Sequence, residues 1–190
     1  MPARVFRYKQ GIGIDQFAAE DRSLKRDTGF APLGSDDAHT LVLGTLPGQA
    51  SLARREYYAH PKNAFWPIMG ALFGFDAAAP YEARVAALGR ARVAVWDVCR
   101  AATRPGSLDS ALVAGSIVPN DFPAFFKKHP KIVRVAFNGA KAASLYARLV
   151  APALAPSFAA LTRLELPSTS PAHARLDRAQ KAQRWAVLKA

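Results

Sequence analysis

The chain has 190 residues, 51% of them hydrophobic, which suits one α/β domain with its own core and excludes a disordered chain. It carries 26 Lys plus Arg against 14 acidic residues, a net charge of +12 that favours polyanionic partners without choosing among them. One cysteine, Cys99, excludes an internal disulfide and any multi-cysteine iron–sulfur or zinc site. No apolar run is long enough for a membrane span or a secretion signal, so a bacterial cytoplasmic location, at the nucleoid, is expected.

Residues 1–30 mix charge, glycine and polar side chains without periodicity and read as a basic N-terminal extension. Arg4, Arg7, Lys9, Arg22, Lys25 and Arg26 there can touch phosphates, although a solvated tail is the plainer reading. Residues 31–190 read as a single domain. Apolar stretches bounded by turn residues or charges predict strands over 39–44, 92–98, 132–138 and 161–167. Between and after them, helices are predicted over 63–73, 81–90, 121–128, 139–150 and 174–188. Strands alternating with helices argue for a parallel sheet covered on both faces. In the last helix, Leu176, Ala179, Ala182 and Ala186 are assigned to the core face. Arg175, Arg178, Lys181 and Arg184 form a basic stripe that either follows a nucleic-acid backbone or is simply solvated.

The stretch 44–66 opens from the carboxyl end of the first strand, where open parallel sheets bind ligands. It holds Tyr57, Tyr58, His60, Asn63, Phe65 and Trp66, an unusual concentration for a connector. It has neither a P-loop nor a G-x-G-x-x-G fingerprint. From spacing alone Asn63 reads best as the cap of the following helix, with Pro67 in its first turn. Phe65 reads equally as core, Trp66 as core, His60 as a satisfied loop histidine, and Asn138 as a turn former at a strand end.

Several motifs occur in a fixed order: Gly44-Thr45-Leu46-Pro47-Gly48, Tyr57-Tyr58-Ala59-His60-Pro61-Lys62-Asn63-Ala64-Phe65-Trp66-Pro67, Val95-Trp96-Asp97-Val98, Gly106-Ser107-Leu108-Asp109-Ser110, Phe137-Asn138-Gly139 and Leu166-Pro167-Ser168-Thr169-Ser170-Pro171-Ala172. Together they resemble the hypoxanthine-DNA (deoxyinosine) glycosylase family of the uracil-DNA glycosylase superfamily, from about Phe30 onward. The resemblance implies a three-layer α/β/α sandwich with a central four-stranded parallel sheet. It implies a monomer that excises a deaminated base from DNA with no metal or organic cofactor. Two hallmarks of relatives are replaced: Leu46 stands where one branch has asparagine, and Leu166 where several have histidine.

By that resemblance Asn63 orients the attacking water. Thr45 and Leu46 (through their backbone), Tyr58, His60, Phe65 and Asn138 are the base-binding candidates, with Phe65 stacking on a base drawn out of the helix. Gly48, Ser51, Lys62, Ser168, Thr169, Ser170, Pro171, His173 and Arg175 are the DNA-binding candidates. The loop 168–173 enters the duplex, with Pro171 or His173 as its wedge. Lys62 beside the sugar raises a Schiff-base route, but a phosphate contact is the simpler reading. Uracil or mismatched uracil as substrate, and a damage-binding protein without turnover, are the competing readings.

Overall fold

The computed structural model describes residues 26–189. The extension residues Arg4, Arg7, Lys9, Arg22 and Lys25 lie outside the described residues. Arg26 donates through its guanidinium to the Ser116 carbonyl.

Four parallel strands form the central sheet: β2 (Thr40–Gly44), β3 (Val93–Asp97), β6 (Arg134–Asn138) and β7 (Thr162–Leu166), in the spatial order β3-β2-β6-β7. All four match the expected strands with trimmed edges, and every residue of β2 and β3 is buried. Continuous apolar runs such as Leu41-Val42-Leu43 are what a sheet covered on both faces demands. The chain moves outward from β2 to β3 and then crosses to β6 on the other side of β2. That reversal opens a crevice at the strands' carboxyl ends.

Helices cover the sheet: α2 (Phe65–Phe73), α3 (Tyr81–Arg90), α4 (Phe122–Lys128), α5 (Ala140–Leu149) and α7 (Arg178–Trp185), with the shorter α1 (Gln49–Arg54) and α6 (Pro156–Ala159). The fold is an α/β/α sandwich. Asp121 caps α4 by accepting from the Ala124 N–H, with Pro123 in the first turn as expected. Two aromatic clusters fill the core. Tyr58, Phe65, Trp66 and Trp185 build one; Trp96, Phe122, Phe125, Phe126 and Tyr146 build the other.

Sequence reasoning missed a second, antiparallel sheet of β1 (Arg26–Thr28), β4 (Cys99–Thr103) and β5 (Val118–Pro119), in the order β1-β4-β5. β4 follows β3 after the single residue Val98, with no glycine or proline between them, so nothing in the pattern marks the break.

The last helix needs correction. It begins at Arg178 rather than at 174, where Asp177 and Gln180 form a reciprocal capping box. Its inward face carries Lys181 and Trp185, with Leu188 just beyond, while Ala179 and Ala186 are exposed. A tryptophan gains far more from burial than an alanine, and the helix rotates accordingly. Lys181 therefore leaves the proposed solvated stripe. Its stem is buried and its ammonium donates to the Ser170 carbonyl at 3.2 Å. Cys99 is a buried core thiol pushed up to about 12, chiefly by burial.

Candidate active site

A cavity of about 710 Å³ occupies the crevice at the strand ends, within the usual range for a small-molecule site. Its buried lining comes from the ends of three strands: Gly44 of β2 with Thr45 just after it, Asp97 of β3 and Asn138 of β6. Tyr58, Leu46 and the loop 168–173 form its walls, and His60, Asn63 and Asp109 stand nearer its mouth.

Asn63 is half-buried and lines both this cavity and a neighbouring one of about 270 Å³. Its N–H donates to the His60 carbonyl at 2.8 Å, and its Oδ1 accepts from the Phe65 N–H at 3.0 Å. The helix starts at Phe65 with Ala64 in the cap position, so Asn63 serves an orphan helix donor from one residue further out. One lone pair of the carboxamide is spent on the helix. The bond restrains the amide through its oxygen and does not use its nitrogen.

Phe65 requires correction. It is 0% exposed and does not reach the cavity; Tyr58 stacks on it with ring centroids 4.0 Å apart, and Trp66 and Trp185 meet it edge-on. The ring that faces the cavity is Tyr58, held at a φ of +57°. Trp66 is buried as expected, with its indole N–H donating to the Tyr57 carbonyl.

Thr169 and Ser51 also require correction as DNA contacts. Thr169 is 0% exposed. Asn138 donates through Nδ2 to its Oγ1 at 2.9 Å and accepts its N–H at 2.8 Å, while its carbonyl accepts from the Ala64 N–H. Ser51 is buried and accepts the Ala59 N–H on Oγ. Both residues shape the walls rather than meet a duplex. Asn138 lines the cavity, but each end of its amide already has a partner on the loop.

The loop after β2 is held by a residue that the sequence did not flag. Arg104 is buried and donates to the Leu46 and Pro47 carbonyls at 3.3 and 2.5 Å. Its guanidinium also pairs with Asp27 at 3.5 Å and Asp109 at 3.4 Å. The Thr45 carbonyl accepts the Cys99 N–H. The carbonyls of Thr45 and Leu46 are thus already engaged within the fold.

Asp97 is the main omission. It is 3% exposed and lines the cavity, and its Oδ2 has no hydrogen-bond partner among the described residues. Burial raises its carboxyl to about 8; the Asp109 carboxylate acts in the same direction and Arg104 against it. Asp109 is also raised, again mainly by burial. The signal was a carboxylate closing an apolar strand, at the end of the sheet where ligands bind.

The remaining candidates lie nearer the surface. Gly48, Ser168, Ser170, Pro171 and His173 line the main cavity, and Lys62 the smaller one beside Asn63. Arg175 is exposed and lines neither. Within the loop, Ser168 Oγ accepts the Ser170 N–H and Ser170 Oγ accepts the Ala172 N–H, so the hydroxyls stiffen the turn. His60 is exposed and accepts the Lys62 N–H on Nδ1. Among the described residues no group of three His, Cys, Asp or Glu is placed to hold a metal ion, and no helix is long and apolar enough to cross a membrane.

Comparison with known proteins agrees with this geometry. The family model of the uracil DNA glycosylase superfamily matches residues 31–189. A hypoxanthine DNA glycosylase of Methanosarcina barkeri (strain Fusaro / DSM 804) is 36% identical over 114 residues, 60% of this chain and 71% of the relative. A protein of the same name from Methanosarcina acetivorans is 35% identical over 115 residues, 60% of this chain and 72% of the relative. The solution NMR structure of a provisionally assigned uracil DNA glycosylase from Methanosarcina acetivorans superposes with a TM-score of 0.72 at 30% identity, covering 87% of this chain and 98% of that one.

Proposed function

The chain belongs to the uracil DNA glycosylase superfamily, and from that premise we propose that it is a monofunctional glycosylase excising hypoxanthine from DNA, with Asn63 orienting the attacking water. The observation that carries this reading is Asn63 itself, restrained by the Phe65 N–H and lining a cavity at the switch point of the sheet. Hypoxanthine is favoured over other bases by the names of the two Methanosarcina relatives and by a cavity volume that accommodates a two-ring base.

In the proposed reaction the C1′–N9 bond breaks with its electron pair going to the base, and the sugar becomes oxocarbenium-like. Water adds its oxygen to C1′, one of its protons is lost to solvent, and the departing base gains a proton. A neutral amide is a weak base, so Asn63 acts by placing the water rather than by ionising it. The target nucleotide leaves the stack to reach the cavity, and the basic surface around Lys62, Arg175 and Arg178 holds the flanking phosphates. The protein acts in the cytoplasm as a monomer.

The test is incubation of labelled duplexes carrying inosine, uracil or xanthine, followed by alkali. Inosine duplexes are expected to be cleaved fastest, and Asn63→Ala to lower single-turnover excision by about 100-fold. Binding without abasic sites would refute the enzymatic reading, and faster release of uracil would overturn the substrate. Borohydride trapping of a covalent complex would point to Lys62 and overturn the monofunctional mechanism.

A further inference from the structure

Asp97 lines the cavity, and its buried Oδ2 has no hydrogen-bond partner among the described residues, whereas the buried hydroxyls of Tyr58 and Thr45, two further lining residues, lie against Asn138 and Asp109. Native proteins leave few such atoms, and an unpartnered carboxyl oxygen on a residue of the cavity wall points to something that enters the cavity. The side chains of Asp97 and Tyr58 also lie together. A Cβ at Gly44 would overlap Asp97 Oδ1 and come within 3.2 Å of the Tyr58 hydroxyl. Glycine at this strand end keeps the carboxyl and the phenol side by side at the cavity wall.

We propose that the Asp97 carboxyl contacts the extruded base directly, donating its O–H to the 6-oxo group of the purine while its carbonyl oxygen accepts the adjacent N1–H. The proposal rests on the hypoxanthine reading above and adds a second catalytic residue to Asn63. A neutral carboxylic acid matches a lactam edge, which sets a carbonyl beside an N–H. An ionised carboxylate would meet the 6-oxo oxygen with like charge. The pairing also assists the chemistry. As C1′–N9 opens, negative charge spreads from N9 onto O6, and a donor already aimed there stabilises that charge.

The surroundings keep Asp97 neutral. The carboxyl is deeply buried, and Asp109, on the turn after β4, repels a second negative charge. Tyr57 and Tyr58 face it from the loop before α2 and Cys99 from β4, none of them a counter-charge. The guanidinium of Arg104 is tied to Asp27 and Asp109, and Lys141 of α5 acts on Asp109 and Cys99.

The experiment compares single-turnover excision by wild-type, Asp97→Leu and Asp97→Asn across pH 6 to 10, on duplexes carrying inosine or deoxynebularine, a purine that lacks the 6-oxo group. On inosine, Asp97→Leu is expected to lose about 100-fold, as when one preorganised donor is removed. Asp97→Asn, whose amide both donates and accepts, recovers about tenfold of that loss. The wild-type rate falls above about pH 8, and this limb is absent in Asp97→Asn. On deoxynebularine, Asp97→Leu and wild-type proceed at similar rates, which a merely structural role would not produce. Equal loss on both purines, or an alkaline limb that survives in Asp97→Asn, overturns this proposal while leaving the glycosylase reading in place. A wild-type protein that excises neither inosine nor uracil overturns that reading and this one together.

Discussion

Asn138, at the end of β6, and Thr169, on the loop after β7, are joined by two hydrogen bonds that use both ends of the asparagine amide. Both residues are buried, so the pair fixes one wall of the cavity to the sheet. Gly139 makes the approach possible: at a φ of +106° it starts α5, and a Cβ there would lie 3.0 Å from that of Ser168.

Asn138→Leu strands the Thr169 hydroxyl and N–H without partners. At about 1–3 kcal/mol for each buried group left unsatisfied, the expected loss is about 2–4 kcal/mol. Thr169→Ser keeps both bonds and should cost under about 1.5 kcal/mol. Urea titration of the three proteins checks the pair, and equal midpoints would show that the clamp contributes nothing.

Phe65 and Tyr58 separate packing from recognition, although they stack on each other. Phe65→Ala should lose about 3–5 kcal/mol of stability, as for other fully buried phenylalanines. Phe65→Leu should be far milder and retain excision, because the ring does not touch the cavity. Tyr58→Phe removes a buried hydroxyl with no well-formed bond, so stability should hold or rise while excision falls by about tenfold. Thermal melts and single-turnover rates, measured on the same preparations, distinguish the two residues. Excision lost in Phe65→Leu with an unchanged melt would return the base-stacking role to Phe65.

The strands and most helices were legible because their signals are local. Leu41-Val42-Leu43 is bounded by turn residues, and Asp121 precedes an apolar helix with proline in its first turn. What stayed hidden depends on contacts distant in sequence. Phe65 and Tyr58 are seven positions apart, and nothing in their spacing says which ring covers the other. Lys181 dropped out of the basic stripe because Trp185 sets the rotation of the last helix, while Arg175, Arg178 and Arg184 stay exposed. Arg104 was invisible since its partners, Asp27, Leu46, Pro47 and Asp109, come together only when the second sheet closes against the loop.

Arg104 bears on the shape of that loop. Arg104→Met leaves the Asp27 carboxylate buried without its cation and frees two carbonyls, with an expected loss of about 3–5 kcal/mol. Arg104→Lys should recover little, because one ammonium cannot span two carbonyls and two carboxylates. Amide hydrogen exchange across 44–48 checks the local effect. Unchanged protection there in a folded Arg104→Lys protein would show that the loop holds itself.

Lys62 and Arg175 are exposed, and their expected work is electrostatic. Lys62→Ala and Arg175→Ala should each weaken DNA binding alike for inosine-containing and undamaged duplexes, and each should reduce the salt dependence by about one phosphate contact. Fluorescence anisotropy at several salt concentrations reads both quantities. A loss confined to inosine duplexes would instead place that side chain against the base.

Asp97 also makes a prediction about folding that needs no DNA. Its carboxyl titrates at about 8 in the folded chain, against about 4 for an unfolded aspartate. Between those values the folded state holds a proton that the unfolded state has released, so stability falls as pH rises. The contribution is complete below about pH 4 and is lost as the pH passes about 8. Asparagine at this position cannot ionise, so its folded state carries no such proton. The melting temperature of Asp97→Asn should therefore gain steadily on that of wild-type from pH 5 to pH 8 and level off above. A difference that stays flat across this range would mean that Asp97 ionises at an ordinary acidic value, and would remove the neutral donor on which recognition of the 6-oxo group rests.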